Sequence, residues 1–164
     1  MDDLARWLSA QLDEDERIAK AATPGPWRAH DTHLGQYGHA ATVLSGEGND
    51  TDLRAWLPSM SQEPWDEARN VWADAEHVAA HDPARVLREI DAKRKLLGQY
   101  VSAAKSVEDL GAARDRLSAQ GRDTLMTGLE LESAIHRRDT LRGVLRLLAA
   151  PYSDRPGFRE EWSP

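Results

Sequence analysis

The stretch "DAEHVAAHDPARVLREIDAKR", residues 74–94, decides how the fold is read. His77 and His81 stand four apart, a spacing that puts both rings on one face of a helix. Asp82 and Pro83 follow at once. An aspartate accepts hydrogen bonds from the free amides of a helix start, and proline at the first helical position sacrifices no donor. A short helix capped by Asp74 therefore ends near the histidines, and a second begins at Pro83. Val86, Leu87, Ile90, Leu96 and Leu97 give that second helix its apolar stripe through about Val101, so residues 74–104 form a helix, a junction and a helix. The two imidazoles are either a grip for an ion or the seam of this junction.

Toward the N-terminus, Leu4, Trp7, Leu8, Leu12, Ile18 and Ala19 fall near one stripe while "DEDER" at 13–17 takes the wet side, predicting an amphipathic helix over 3–22. "TPGPW" at 23–27 stops it, because proline lacks the amide donor and pushes its predecessor out of the helical region. Trp27, directly after this forced turn, is expected to lie back on the core. From 27 to 57 the period shortens: "WRAH", "HAATVL" and "DLRAWL" are extended segments separated by turn-forming residues. They predict a small antiparallel sheet leaning on the helices, since so few strands are marginal alone. Between them and the histidines, Pro58 and Pro64 mark a loop, with a short helix from Pro64 to Trp72.

Toward the C-terminus, Ser106 is a candidate cap for a helix with Val107, Leu110 and Leu117 inward, and "AQGRD" at 119–123 is a break. Leu125, Leu129, Leu131, Ile135, Leu141, Val144, Leu145 and Leu148 then support a long last helix that Pro151 ends. Residues 106–149 thus read as a helical hairpin, whose outer face, if apolar, is most simply buried against a second copy in a homodimer. The tail, 150–164, is too poor in apolar residues to fold alone, but Tyr152, Phe158 and Trp162 can staple it to the body.

A length of 164 residues fits a single domain, 1–164. The chain has no cysteine, which removes disulfides, thiolate metal sites and a cysteine nucleophile and fits a reducing compartment. No apolar run reaches the roughly 18 to 20 residues that cross a bilayer, and "MDDLARWLSA" carries acids where a secretory signal carries bases, so a cytoplasmic protein with no membrane contact is expected. A net charge of -7, from 28 acids and 21 bases, argues against nucleic acid as a partner. The basic run Arg85, Arg88, Lys93, Arg94 and Lys95 is offset by Glu89 and Asp91 at the favourable helical spacing and reads as a solvated face.

For metal chemistry, His77 and His81 could reach one ion at about 2.0 to 2.1 Å, with Asp82 or one of His30, His33 and His39 as a third ligand. The zinc-protease pattern needs a glutamate directly after the first histidine, and position 78 is valine. The competing readings are junction packing, with His81 capping the carbonyl end of its helix, and contact with an organic ligand. His136, four after Glu132, reads as half of a surface pair. No nucleophile elbow occurs, and "LSGEGND" lacks the ending of a phosphate loop. Six tryptophans stand at 7, 27, 56, 65, 72 and 162, four of them between 27 and 72 near Arg28, Arg54 and Arg69. Such rings either complete a core with one phenylalanine or stack a ligand; Trp56 and Trp65 are the two expected at the surface.

"LDEDERIAKAATPGPWR", "DAEHVAAHDPARVLREIDAKRKLL" and "LRLLAAPYSDRPGFREEW" together resemble domain of unknown function family 6221, small proteins found mainly in actinobacteria and their phages. More distantly, "TPGPW" and "DAEHVAAHDPARVL" are similar to Ead-type accessory proteins of temperate phages. The resemblance implies a mobile-element or accessory origin and transfers no catalytic residue.

The reading is an α+β chain, mostly helical, with a small antiparallel sheet packed on a helical scaffold and a long C-terminal helical hairpin. Its expected function is non-enzymatic recognition of a small ligand or a protein through Arg54, Trp56, Trp65, Arg69, His77 and His81, with no cofactor. The alternative is a divalent-metal protein or metal-dependent hydrolase using His77, His81 and Asp82.

Overall fold

A computed structural model describes residues 2–33, 39–46, 53–58 and 66–164. In chain order they form helix α1 (Asp3–Ala21), strands β1 (Trp27–His33), β2 (His39–Ser45) and β3 (Leu53–Pro58), and helices α2 (Asp66–Ala80), α3 (Pro83–Ala119) and α4 (Leu125–Ala149). Two single-turn helices, Ala150–Tyr152 and Glu160–Trp162, complete the tail. The fold is α+β and mostly helical, as the periodicities predict. Packing is organised around two compact units, Met1–Glu14 with Asp91–Pro164, and Asp15–Ile90. The boundary falls inside α1 and α3.

In the second unit the sheet has the order β1-β2-β3, antiparallel throughout. β1 pairs with β2 from Trp27↔Ser45 to His33↔His39. β3 pairs with β2 from Ala40↔Pro58 to Val43↔Ala55, after which the register slips so that Leu44 meets Leu53. Arg54 is the extra residue of this bulge. Ala41 and Val43 of β2 meet Ala75 of α2 in a core completed by Trp27, Ala29, Val71, Val78 and Ala79. These small side chains allow a helix to lie close on a sheet. The central strand is buried on both faces, since Ala40, Thr42 and Leu44 of the opposite face are also inside.

The TPGPW turn is closed by the Trp27 indole donating to the Thr23 carbonyl at 3.1 Å, and the ring packs on the sheet core as expected of an anchor. The Gly25–Pro26 bond in this turn is cis.

In the first unit Leu4, Leu8 and Leu12 of α1 are fully buried, Leu97, Tyr100 and Ala103 come in from α3, and Leu131, Leu145 and Ala149 from α4. Ile18, assigned to the apolar stripe from sequence, is 52% exposed. Asp2 caps α1, one oxygen accepting the Ala5 amide at 2.9 Å.

α3 runs unbroken for 37 residues, about 55 Å, through Ser106, where a new helix was expected. The Ser106 hydroxyl donates back to the Ser102 carbonyl at 3.0 Å, the bond a serine makes inside a helix, so no cap forms. The real break is at 119–123. Gly121 takes φ +68, with its amide on the Ser118 carbonyl at 2.9 Å and the Arg122 amide on the Leu117 carbonyl at 3.0 Å. This is a Schellman closure, and the left-handed position is why glycine stands there. Asp123 then accepts the Leu125 amide at 2.9 Å and starts α4, the return arm of the hairpin.

The tail is stapled through Trp7. Its ring lies 5.3 Å from Trp162, 5.5 Å from Phe158 and 6.5 Å from Tyr152, centroid to centroid, and its indole N–H donates to the Pro156 carbonyl at 3.1 Å. Arg159 adds a link to Asp3 at 3.1 Å. The Arg6 guanidinium, with Arg159 behind it, holds the Asp3 carboxyl below its ordinary range.

Candidate functional site

The two segments predicted before the junction, a helix up to Trp72 and a second capped at Asp74, are one helix, α2, that starts at Asp66. Asp74 sits inside it. Nothing in "NVWADAEHVAA" carries a proline or glycine, so there is no physical stop between Trp72 and Asp74. The stop comes at His81. The His81 amide donates to the Val78 carbonyl at 3.2 Å, closing a last tight turn. The His81 Nδ1 lies 2.7 Å from the His77 carbonyl oxygen. A carbonyl oxygen only accepts, so Nδ1 donates in that bond and the ring caps the carbonyl end of α2.

Asp82 then caps α3, its Oδ1 accepting the Arg85 amide at 2.6 Å. Pro83 is buried as the first residue of that helix. The Arg85 guanidinium reaches back to the Ala80 carbonyl at 2.9 Å and forward to Glu89 at 2.8 Å, tying the two helices across the junction. Asp82 also backs onto the TPGPW turn: a Cβ on Gly25 would stand 2.6 Å from its Oδ2, so glycine is the residue that lets turn and junction close together.

The imidazoles of His77 and His81 are brought together, 4.3 Å between centroids with planes 46° apart. Asp82 adjoins them in sequence but spends Oδ1 on the cap. Among the described residues no group of three histidine or acidic side chains converges on one point. Both rings are exposed.

Of the other predicted site residues, Trp65 lies outside the described residues, as do the side chains of Arg54, Trp56 and Arg69. The backbone places Trp56 opposite Thr42, in the row that continues to His30, whereas the row packed on α2 holds Ala29 and Val43. Arg69 precedes Trp72 by one helical turn on α2. The His30 carbonyl accepts the Thr42 hydroxyl at 3.1 Å.

Trp72 is the residue that sequence reasoning passed over. It is 37% exposed, an indole at the surface on the helix that carries both histidines. The signal was available in the spacing: Val71, Ala75, Val78 and Ala79 form the apolar face of α2, which leaves Trp72 at one edge of it and His77 on the far side.

Toward the turn of the hairpin lies a groove of about 390 Å³ lined by Arg114 of α3 and by Leu125, Gly128, Leu129, Leu131 and Ile135 of α4. No helix among the described residues is long and apolar enough to cross a membrane.

An antiparallel three-stranded sheet with one helix on its face, joined to a helical unit ending in a long hairpin, defines a mixed α+β protein whose exposed aromatic and imidazole groups share one helix. The whole chain, residues 1–164, matches the model described as Family of unknown function (DUF6221), and the protein belongs to that family. No curated protein and no solved structure matches it.

Proposed function

We propose that the protein works by recognition, as an accessory binding protein, and that the outward face of α2 receives a protein or small-molecule ligand. The observation that carries this reading is the exposed indole of Trp72 on the helix that also bears the histidine pair. An exposed tryptophan on a helix, with Glu76 one turn further along the same side, is the residue type on which binding energy concentrates. The commitment of His81 Nδ1 to the end of α2 supports a structural role for that ring, with His77 left as the imidazole facing a partner. The resemblance to phage accessory proteins supports a mobile-element origin, and the cysteine-free composition supports a cytoplasmic setting.

A photo-reactive phenylalanine analogue placed at position 72 tests this in lysate of the native host, with position 122 as the control site. The expected result is one adduct at 72, absent at 122, competed by excess wild-type protein but not by Trp72→Ala. No competed adduct, or equal competition by the variant, would sink the reading. Plasma emission analysis of untagged protein addresses the metal alternative: stoichiometric zinc or manganese, lost in both His77→Ala and His81→Ala, would replace recognition with metal binding as the role of the pair.

A further inference from the structure

The cap at the end of α2 accounts for one imidazole and not for the other. His81 Nδ1 donates to the His77 carbonyl, and any residue at 77 would offer that carbonyl. The ring of His77 makes no hydrogen bond or ion pair among the described residues; what it meets is the His81 ring, 4.3 Å away between centroids. Both rings are exposed, so burial does not hold them together.

With its proton on Nδ1, the neutral His81 ring carries its lone pair on Nε2. One ring nitrogen donating to a backbone carbonyl while the other stays free is the arrangement of a metal-ligating histidine: the carbonyl fixes the tautomer and orientation and makes the free nitrogen more basic. Two imidazoles bound to one ion at about 2.0 to 2.1 Å, at a right angle, have centroids roughly 4.5 Å apart, close to the 4.3 Å that these rings already hold. The electrostatics favour a cation as well. The last carbonyls of α2 present the negative end of the helix dipole here. Asp74 precedes His77 by three residues and His81 by seven, spacings that share a helix face, and adds an acid on the same side. Arg85, the base at the junction, is already spent on the Ala80 carbonyl and on Glu89.

We infer that His77 and His81 form an exchangeable chelate for a borderline divalent cation, of the zinc, nickel and copper kind, at the end of α2. Imidazole nitrogen selects these ions over magnesium, calcium and manganese, which take oxygen ligands. No third histidine or acidic side chain joins the pair among the described residues, so the remaining coordination positions belong to water or to an incoming ligand. Such a site fills and empties with the cation concentration, unlike a resident catalytic metal, which is held by three protein ligands in an oriented shell. When filled, it ties residue 77 to residue 81 and stiffens the last turn of α2. The pair lies on the side of α2 away from Trp72, so the chelate stands or falls without recognition at the indole.

Calorimetric titration of zinc into untagged protein, stripped with a chelator and held at neutral pH, tests this, and the absence of cysteine removes thiolate as a competing ligand. Wild type is expected to take one zinc in the micromolar range and to give no heat with magnesium. His77→Ala keeps the carbonyl that His81 caps and is expected to weaken zinc at least tenfold. A second variant moves the histidine instead of removing it: His77→Ala with Glu76→His keeps all six histidines of the chain but sets the pair five apart, off a shared face, and is expected to bind as weakly as His77→Ala. Zinc is also expected to slow amide exchange at residues 78–81 in wild type and in neither variant. A wild type that takes up no zinc below millimolar concentration overturns the inference. So does a zinc affinity that either variant leaves unchanged, since the ion then sits on other histidines. Neither result touches the cross-link expected at position 72.

Discussion

At the residue scale, single side chains hold several elements at once. Asp2 caps α1 with one oxygen, while the other accepts the Tyr100 hydroxyl of α3 and sits 3.5 Å from Arg142 of α4. Burial, reinforced by the hydrogen bond to Asp2, pushes the Tyr100 phenol up to about 12. The proton is thus held more tightly in the folded chain than in the unfolded one, whose tyrosine ionises near 10.0. This group's contribution is fully present below pH 10 and is lost as pH rises through about 12. Tyr100→Phe is expected to cost about 1 to 2 kcal/mol near neutral pH, and urea denaturation should show the gap to wild type closing over that alkaline window. A gap that stays constant to pH 12 would show that the phenol proton is not what the fold holds.

At the element scale, helix ends rather than helix middles carry the specificity. α2 closes on His81, α3 opens on Asp82 and closes on Gly121, and α4 gives way at Pro151. Removing the His81 ring frees the His77 carbonyl and the tight last turn with it. His81→Ala is expected to cost about 1 kcal/mol and fray the end of α2, seen as faster amide exchange at residues 78–81 with α3 unchanged. The same logic governs the tail, which has no periodic stripe and holds by aromatic contact with α1. Trp7→Ala removes the ring shared by Phe158, Trp162 and Tyr152, at a cost of about 3 kcal/mol, and limited proteolysis should then cut between 150 and 164. A tail as resistant as wild type would mean that its polar links, Arg159 to Asp3, Arg155 to Gln11 and Lys93 to the Tyr152 hydroxyl, hold it without the ring.

At the scale of the whole molecule, two cores stand where chain length suggested one. The sheet and α2 share a core of small residues, Ala41, Val43 and Ala75, while the helical unit buries leucines 4, 8, 12 and 145. Val43→Ala and Leu145→Ala, each worth about 2 kcal/mol or more, should therefore act on different sets of amides. Hydrogen exchange is expected to quicken in β1, β2 and α2 for the first and in α1 and α4 for the second. Uniform acceleration by both would show a single cooperative body.

Period and punctuation were legible in the sequence by themselves. The 3.6-residue stripe of α1, the short extended segments after Trp27, the Asp82–Pro83 start and the break at Gly121 are local physics, decided by which residues can cap, turn or alternate. What only the tertiary structure decided is which local options prevail where several are allowed. Ser106 and Asp74 are both good caps, and both lie within continuous helices, because nothing beside them forces the backbone to stop. Ile18 and Trp72 are as apolar as their neighbours, yet both face outward, since burial is settled by what packs opposite and not by the side chain alone. The histidine pair shows both halves of the lesson. Spacing put the rings on one face, but only the position of the His77 carbonyl committed the His81 ring to ending a helix.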